Sequence, residues 1–76
     1  MATMYTSHAR SRMAQRRITE VQVELVLNKP EGMVDDPDER SVRLTKQVNG
    51  QLLKVWVVAP WPQGDRAVVK SVAWGN

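Results

Sequence analysis

Apolar positions along this chain follow two different periods, and the change between them divides it into two parts. In "SHARSRMAQRR", residues 7 to 17, Ala9 and Met13 stand four apart among polar neighbours. That spacing predicts a helix from an N-cap at Ser7 to about Arg16, with Met4 joining its inner side. In "ITEVQVELVLN", Thr19 is followed three residues later by Gln22, which makes a capping box, and Ile18 and Val23 have the spacing of a hydrophobic staple. This second helix is expected to run to about Asn28, because Pro30 cannot continue it. So little chain joins the two helices that they must form a tight hairpin or bent pair.

After Pro30 the period shortens to two. "GMVDD" predicts a short edge strand. "SVRLTKQVNGQLLKVWVVAP" contains two alternating runs around Asn49-Gly50, the pair that a type I′ hairpin turn prefers. With those two as loop residues, Val48 faces Gln51, Leu44 faces Val55, Arg43 faces Trp56 and Val42 faces Val57. Val42, Leu44, Leu53, Val55 and Val57 then share one face, and Arg43, Thr45, Lys54 and Trp56 share the other. Lys46 falls on the apolar face, which predicts a margin position from which its ammonium snorkels outward. After the loop "PWPQGD", in which Trp61 reads as an anchor, "RAVVKSVAW" supplies a third strand. The expected fold is α+β, one domain over residues 1–76. Its two N-terminal helices pack on one face of a three- to four-stranded antiparallel sheet. The other face stays partly open, floored by Arg43, Lys54, Trp56 and either Lys70 and Trp74 or their neighbours.

Composition narrows the function classes. No cysteine is present, so disulfides and thiolate metal sites are excluded, in keeping with a reducing compartment. No apolar run approaches the roughly 20 residues of a membrane helix, and no apolar segment follows the N-terminal cations as in a secretion signal. A cytoplasmic protein without a membrane partner is expected. The net charge is +3, but its distribution says more. Arg10, Arg12, Arg16 and Arg17 open the chain without an acid. Glu31, Asp35, Asp36, Asp38 and Glu39 follow without a cation. Arg43, Lys46, Lys54, Arg66 and Lys70 then stand against Asp65 alone. Segregation of this kind favours a polyanion or an acidic partner.

The pattern S-H-A-x-x-R-M-x-x-R-x-I-T, here Ser7, His8, Ala9, Arg12, Met13, Arg16, Ile18 and Thr19, resembles the opening of a small prokaryotic family. That family is catalogued as a domain of unknown function and grouped with the RelE/ParE-like toxins, near the BrnT branch. The basic strand, the glycine turn, "LLKVWVV" and the final apolar strand carry the resemblance from about Tyr5 to Trp74. It implies a compact fold of two helices and an antiparallel sheet. It also implies cleavage of mRNA, ribosome-dependent or free, and neutralisation by an antitoxin that wraps the basic surface. Other members of the superfamily poison gyrase, so the fold does not fix the chemistry. RelE-type ribonucleases tend to end in a Tyr or His, whereas this chain ends in "SVAWGN" and its only tyrosine is Tyr5. The part that transfers is His8, Arg12 and Arg16.

Those three lie at i, i+4 and i+8, one stripe of the first helix. RNA cleavage without a metal needs a base for the 2′-hydroxyl, cations for the charge at phosphorus and an acid for the leaving oxygen. A histidine beside two guanidiniums supplies much of that set. The competing reading has His8 packing at the helix start and the arginines solvated or paired with the acidic segment. Arg10 and Arg17, off the stripe, read as solvated or as non-specific phosphate contacts. On the sheet, Arg43, Lys54, Trp56 and Lys70 suit RNA binding by backbone charge and base stacking; alternatively Trp56 fills core and the lysines are ordinary surface charges. "EGMVDDPDE" lacks calcium-loop spacing and reads as a solvated connection or partner for the arginines. No nucleophile elbow, phosphate-cradling glycine loop or zinc spacing is present, so no metal or cofactor is expected. Two functions follow. One is a toxin-like, metal-independent endoribonuclease with His8 as general acid or base, acting on RNA free or at the ribosome. The other is a non-catalytic RNA- or protein-binding module on the same fold.

Overall fold

The computed structural model describes residues 2–75. Strand β1 (Ala2–Tyr5) leads into helix α1 (Ser7–Arg16) and helix α2 (Glu20–Asn28). Strand β2 (Gly32–Asp36), a 3-10 turn (Pro37–Glu39), β3 (Ser41–Val48), β4 (Gln51–Val58) and β5 (Arg66–Gly75) complete the chain. The fold is α+β, as the patterning predicts. Its single sheet has five strands in the order β1-β5-β4-β3-β2, not three or four, and it is mixed rather than antiparallel. β1 runs parallel to β5, from Ala2 opposite Arg66 to Tyr5 opposite Val69. Met4, expected against the first helix, belongs to β1 and is exposed. Four residues with no strong alternation carry no local strand signal, and their pairing partner lies at the other end of the chain.

Local chemistry sets the helices. Thr6, one residue before the expected Ser7, caps α1 by accepting from the Ala9 N–H at 3.0 Å. The helix ends where Arg17 turns left-handed (φ 56°) and donates its N–H to the Met13 carbonyl. At α2 both capping-box bonds form: the Gln22 N–H donates to Thr19 Oγ1 at 3.2 Å, and the Thr19 N–H donates to Gln22 Oε1 at 2.9 Å. Ile18 and Val23, the staple pair, are both buried.

The β3–β4 hairpin has the predicted register through Asn49 and Gly50, whose positive φ values of 54° and 81° are those a type I′ turn requires. Val42, Leu44, Leu53, Val55, Val57, Val69 and Val72 form the covered face of the sheet. They share one core with Ala9, Met13, Ile18, Val23, Val26 and Leu27 of the helical segment. Leu44 and Leu53 are fully buried, and truncating either to Ala is expected to cost about 2–5 kcal/mol. Lys46 sits on this side opposite Leu53 and snorkels, its Nζ donating to the Lys29 carbonyl at 3.0 Å and lying 3.9 Å from Glu31. Trp61 is half-buried against the core, an anchor for its loop.

One irregularity matters for the site. Val57 pairs with Val69, yet Trp56 pairs with Ser71, so Lys70 is an extra residue in β5. Beyond this bulge the alternation is reset, and Val72 and Trp74 turn to the helices. Trp74 therefore leaves the open face where it was one of the candidates; Ser71 and Ala73 take the outward places.

Candidate functional site

Helix α1 lies along the part of β5 that β1 does not cover. Thr6 makes the corner: its N–H donates to the Val69 carbonyl and its Oγ1 to the Lys70 carbonyl, each at 3.1 Å. At the other end of α1, Arg16 Nη1 donates to the Val72 carbonyl at 3.1 Å, and Trp74 Nε1 donates to the Arg16 carbonyl at 2.9 Å. Otherwise unpaired carbonyls of a strand edge are thus satisfied by the helix. The His8–Arg12–Arg16 stripe follows this seam. Arg16 spends one guanidinium donor on the fold, Arg12 reaches Gln15 at 3.3 Å, and His8 is exposed at the start.

His8 opens into a cleft of about 300 Å³. The sheet contributes Trp56 from β4 and Ser41 from β3; the bulge contributes Lys70 and Ser71 from β5; the 3-10 turn and the end of β2 contribute Glu39 and Asp36. Because directly opposed residues share a face, Arg43, Trp56 and Ser71 form a row on the side away from the helices. The Lys70 ammonium donates to the Glu39 carbonyl at 2.8 Å, which draws the 3-10 turn against β5. The cleft therefore holds an imidazole, an ammonium, two carboxylates and an indole within one small volume.

Of the residues singled out in the sequence, His8, Lys70 and Trp56 meet in this cleft, whereas Arg12, Arg16, Arg43 and Lys54 lie outside its lining. Arg43 stands next to Trp56 on the strand, with its Nε buried and unpartnered. Lys54 crosses the sheet away from the cleft, its stem over Gly75, where a Cβ would collide with it. The cation–π contact found among the described residues joins Arg10 to Tyr5 at 4.7 Å rather than Arg43 to Trp56. Arg10, read as solvated, also pairs with Glu20 at 2.8 Å. Tyr5 lies behind this group: burial, then Glu24 and Glu20, push its phenol up to about 12, opposed by Arg10. Asp36, Glu39, Ser41 and Ser71 were not legible as site residues. The acidic run reads as a solvated connection, and the bulge that turns Ser71 outward leaves no mark in the sequence. Among the described residues no group of three or more His, Asp or Glu converges as a metal site, and no helix is long and apolar enough to cross a membrane.

Two helices packed on a mixed sheet, with a mixed-charge cleft where the first helix begins, make this a small α+β fold with a polar cleft at one end of α1. Residues 5–74 match the family described as "Domain of unknown function (DUF4258)", and the chain belongs to it. No curated protein and no solved structure matches the chain.

Proposed function

We propose that this domain is a metal-independent endoribonuclease of the RelE/ParE-like toxin kind, acting on RNA in the cytoplasm, free or at the ribosome. The observation that carries this reading is the meeting of His8, Lys70 and Trp56 in one cleft at the head of the arginine stripe. In the reaction a base takes the proton of a 2′-hydroxyl, and the 2′-oxygen forms a bond to phosphorus. The bond from phosphorus to the 5′-oxygen breaks, and an acid returns a proton to that oxygen. The products are a 2′,3′-cyclic phosphate and a 5′-hydroxyl. His8 is one proton carrier, and a carboxylate of Asp36 or Glu39 in the same cleft suits the other role. Lys70 and Arg12, one turn along α1 from His8, offset the charge on phosphorus, and Arg16, two turns along, holds a neighbouring phosphate. Arg43 and Lys54 steer the RNA backbone, and Trp56 offers a stacking surface for a base. A small acidic antitoxin-like protein is the corresponding partner.

A second reading, a non-catalytic RNA- or protein-binding module, is favoured by two contacts. Arg16 is bonded to Val72 and Lys70 to the Glu39 carbonyl, so both cations also serve the fold. Separate His8→Ala and Arg12→Ala variants distinguish the two. A nuclease loses turnover at both, by about 10²–10⁴-fold for a general acid–base group. A binding module is indifferent at His8 and loses affinity at Arg12. Wild-type protein that leaves RNA intact with and without ribosomes, and whose expression is harmless, would overturn the nuclease.

A further inference from the structure

Strand β2 pairs with β3 on one side and ends the sheet on the other. Edge strands are ordinarily guarded by short length, charge, a proline or a bulge; β2 is guarded at its C-terminal end by Asp35, Asp36 and the following Pro37, while Met33 and Val34 carry no such guard. Met33 is 58% exposed and Val34 50% exposed. Their register partners are Leu44 and Arg43, so they point to opposite faces of the sheet. Met33 extends the core by one position past the buried Leu44, with nothing beyond it. A neighbouring strand would cover both side chains while pairing the backbone edge.

Charge decides what that strand is. The segment from Glu31 to Glu39 holds five carboxylates and no cation in a chain whose net charge is +3. Two copies meeting edge to edge at β2 would bring two acidic segments together, and RNA would be repelled. At the C-terminal end of β2 a second cleft, of about 380 Å³, lies between Asp35, Pro37, Val42, Pro60 and Trp61. A carboxylate and an indole lining one apolar hollow suit a cationic head on an alkyl stem, through ion pairing, cation–π attraction and stem burial.

We infer that the free edge of β2 binds an extended basic peptide as a sixth strand, with an arginine or lysine side chain of that peptide seated between Asp35 and Trp61. Strand addition of this kind takes its affinity from backbone pairing and its selectivity from alternate side chains. Here the alternate positions select an apolar contact at Met33 and a cation at Asp35. The site borders the His8 cleft at Ser41, but Met33, Asp35 and Trp61 do not line that cleft, so its occupation does not depend on RNA chemistry there.

The test uses the whole protein and a fluorescein-labelled decapeptide of repeating Arg-Thr-Val-Thr, which sets arginine and valine alternately on one face, with a glutamate-for-arginine peptide as control. Binding of the arginine peptide is expected, with NMR shifts and amide protection at residues 32–36 and quenching of tryptophan fluorescence. Asp35→Lys should weaken binding by at least about tenfold. Met33→Thr, chosen because Met33 is exposed and its loss leaves the core intact, should weaken it by several-fold. An unchanged NMR spectrum away from each substitution confirms that both variants are folded. Absence of binding overturns the inference. So does equal binding of the glutamate peptide, an unaltered affinity in Asp35→Lys, or shifts confined to the His8 cleft.

Discussion

Trp74 donates to Arg16, and Arg16 donates in turn to the strand that carries Trp74. The indole N–H donates to the Arg16 carbonyl at 2.9 Å, and the Arg16 guanidinium donates to the carbonyl of Val72, two residues before Trp74, at 3.1 Å. The last turn of α1 is thereby latched to β5. Trp74→Phe keeps most of the ring packing and loses the bond, so the expected loss is about 1 kcal/mol of unfolding free energy in a urea titration. Arg16→Ala should cost a similar amount, and the double variant less than the sum, because the two bonds hold one contact. If Arg16 also meets phosphate, Arg16→Lys should regain RNA affinity more fully than stability.

Tyr5 makes stability fall with alkali. Folded Tyr5 keeps its proton to about pH 12, whereas the unfolded chain loses it near the ordinary value of 10.0. Between those limits the unfolded state binds fewer protons, so the stabilisation is complete below pH 10 and is lost as pH rises through 12. Burial is the first cause, with Glu24 and Glu20 adding to it. The Tyr5→Phe variant should show a shallower decline over this range in denaturation monitored by circular dichroism. Equal slopes for the two proteins would show that the phenol does not titrate in this way.

Thr19→Ala removes one bond of the α2 capping box and leaves the Gln22 N–H to water. The expected cost is about 1 kcal/mol, read from the urea midpoint with an unchanged slope.

Lys70→Met cuts the bond that holds the 3-10 turn to β5. Hydrogen exchange should quicken at Arg40, whose N–H donates to the Pro37 carbonyl at 3.2 Å, while the amides of the β3–β4 hairpin keep their protection. Global stability should change by less than about 1 kcal/mol, since the ammonium is partly solvated.

What could be read from the sequence was local. Asn49-Gly50 specifies its turn through two left-handed residues, and the register from Val48 opposite Gln51 to Val42 opposite Val57 follows from that alone. Thr19 and Gln22 mark a helix start by a bond pattern three residues long. The illegible parts were long-range. β1 exists because β5 offers it an edge, and Ala2–Tyr5 contains no hint of that offer. The bulge at Lys70 breaks an alternation that otherwise continues through "AVVKSVAW", so the face of Trp74 could not be assigned. The cleft fared in the same way: His8 was legible as a chemical type, but Asp36 and Glu39 join it only through the fold.

The placement of β5 sets the order in which this molecule can assemble. The strand that comes last in the chain is an interior one, flanked by β1 and β4. The β3–β4 hairpin can form early from neighbouring residues, but the β1–β5 ladder must close a loop of roughly 60 residues, an entropic cost of about 3.6 kcal/mol plus a constant. Contacts this distant in sequence slow the search for the native state. Until β5 arrives, α1 has no strand edge to cover, and Ala9 and Met13 lack the partners it supplies. Folding should therefore be all-or-none and gated by one late docking event, with the hairpin as a waiting template rather than an independently stable half.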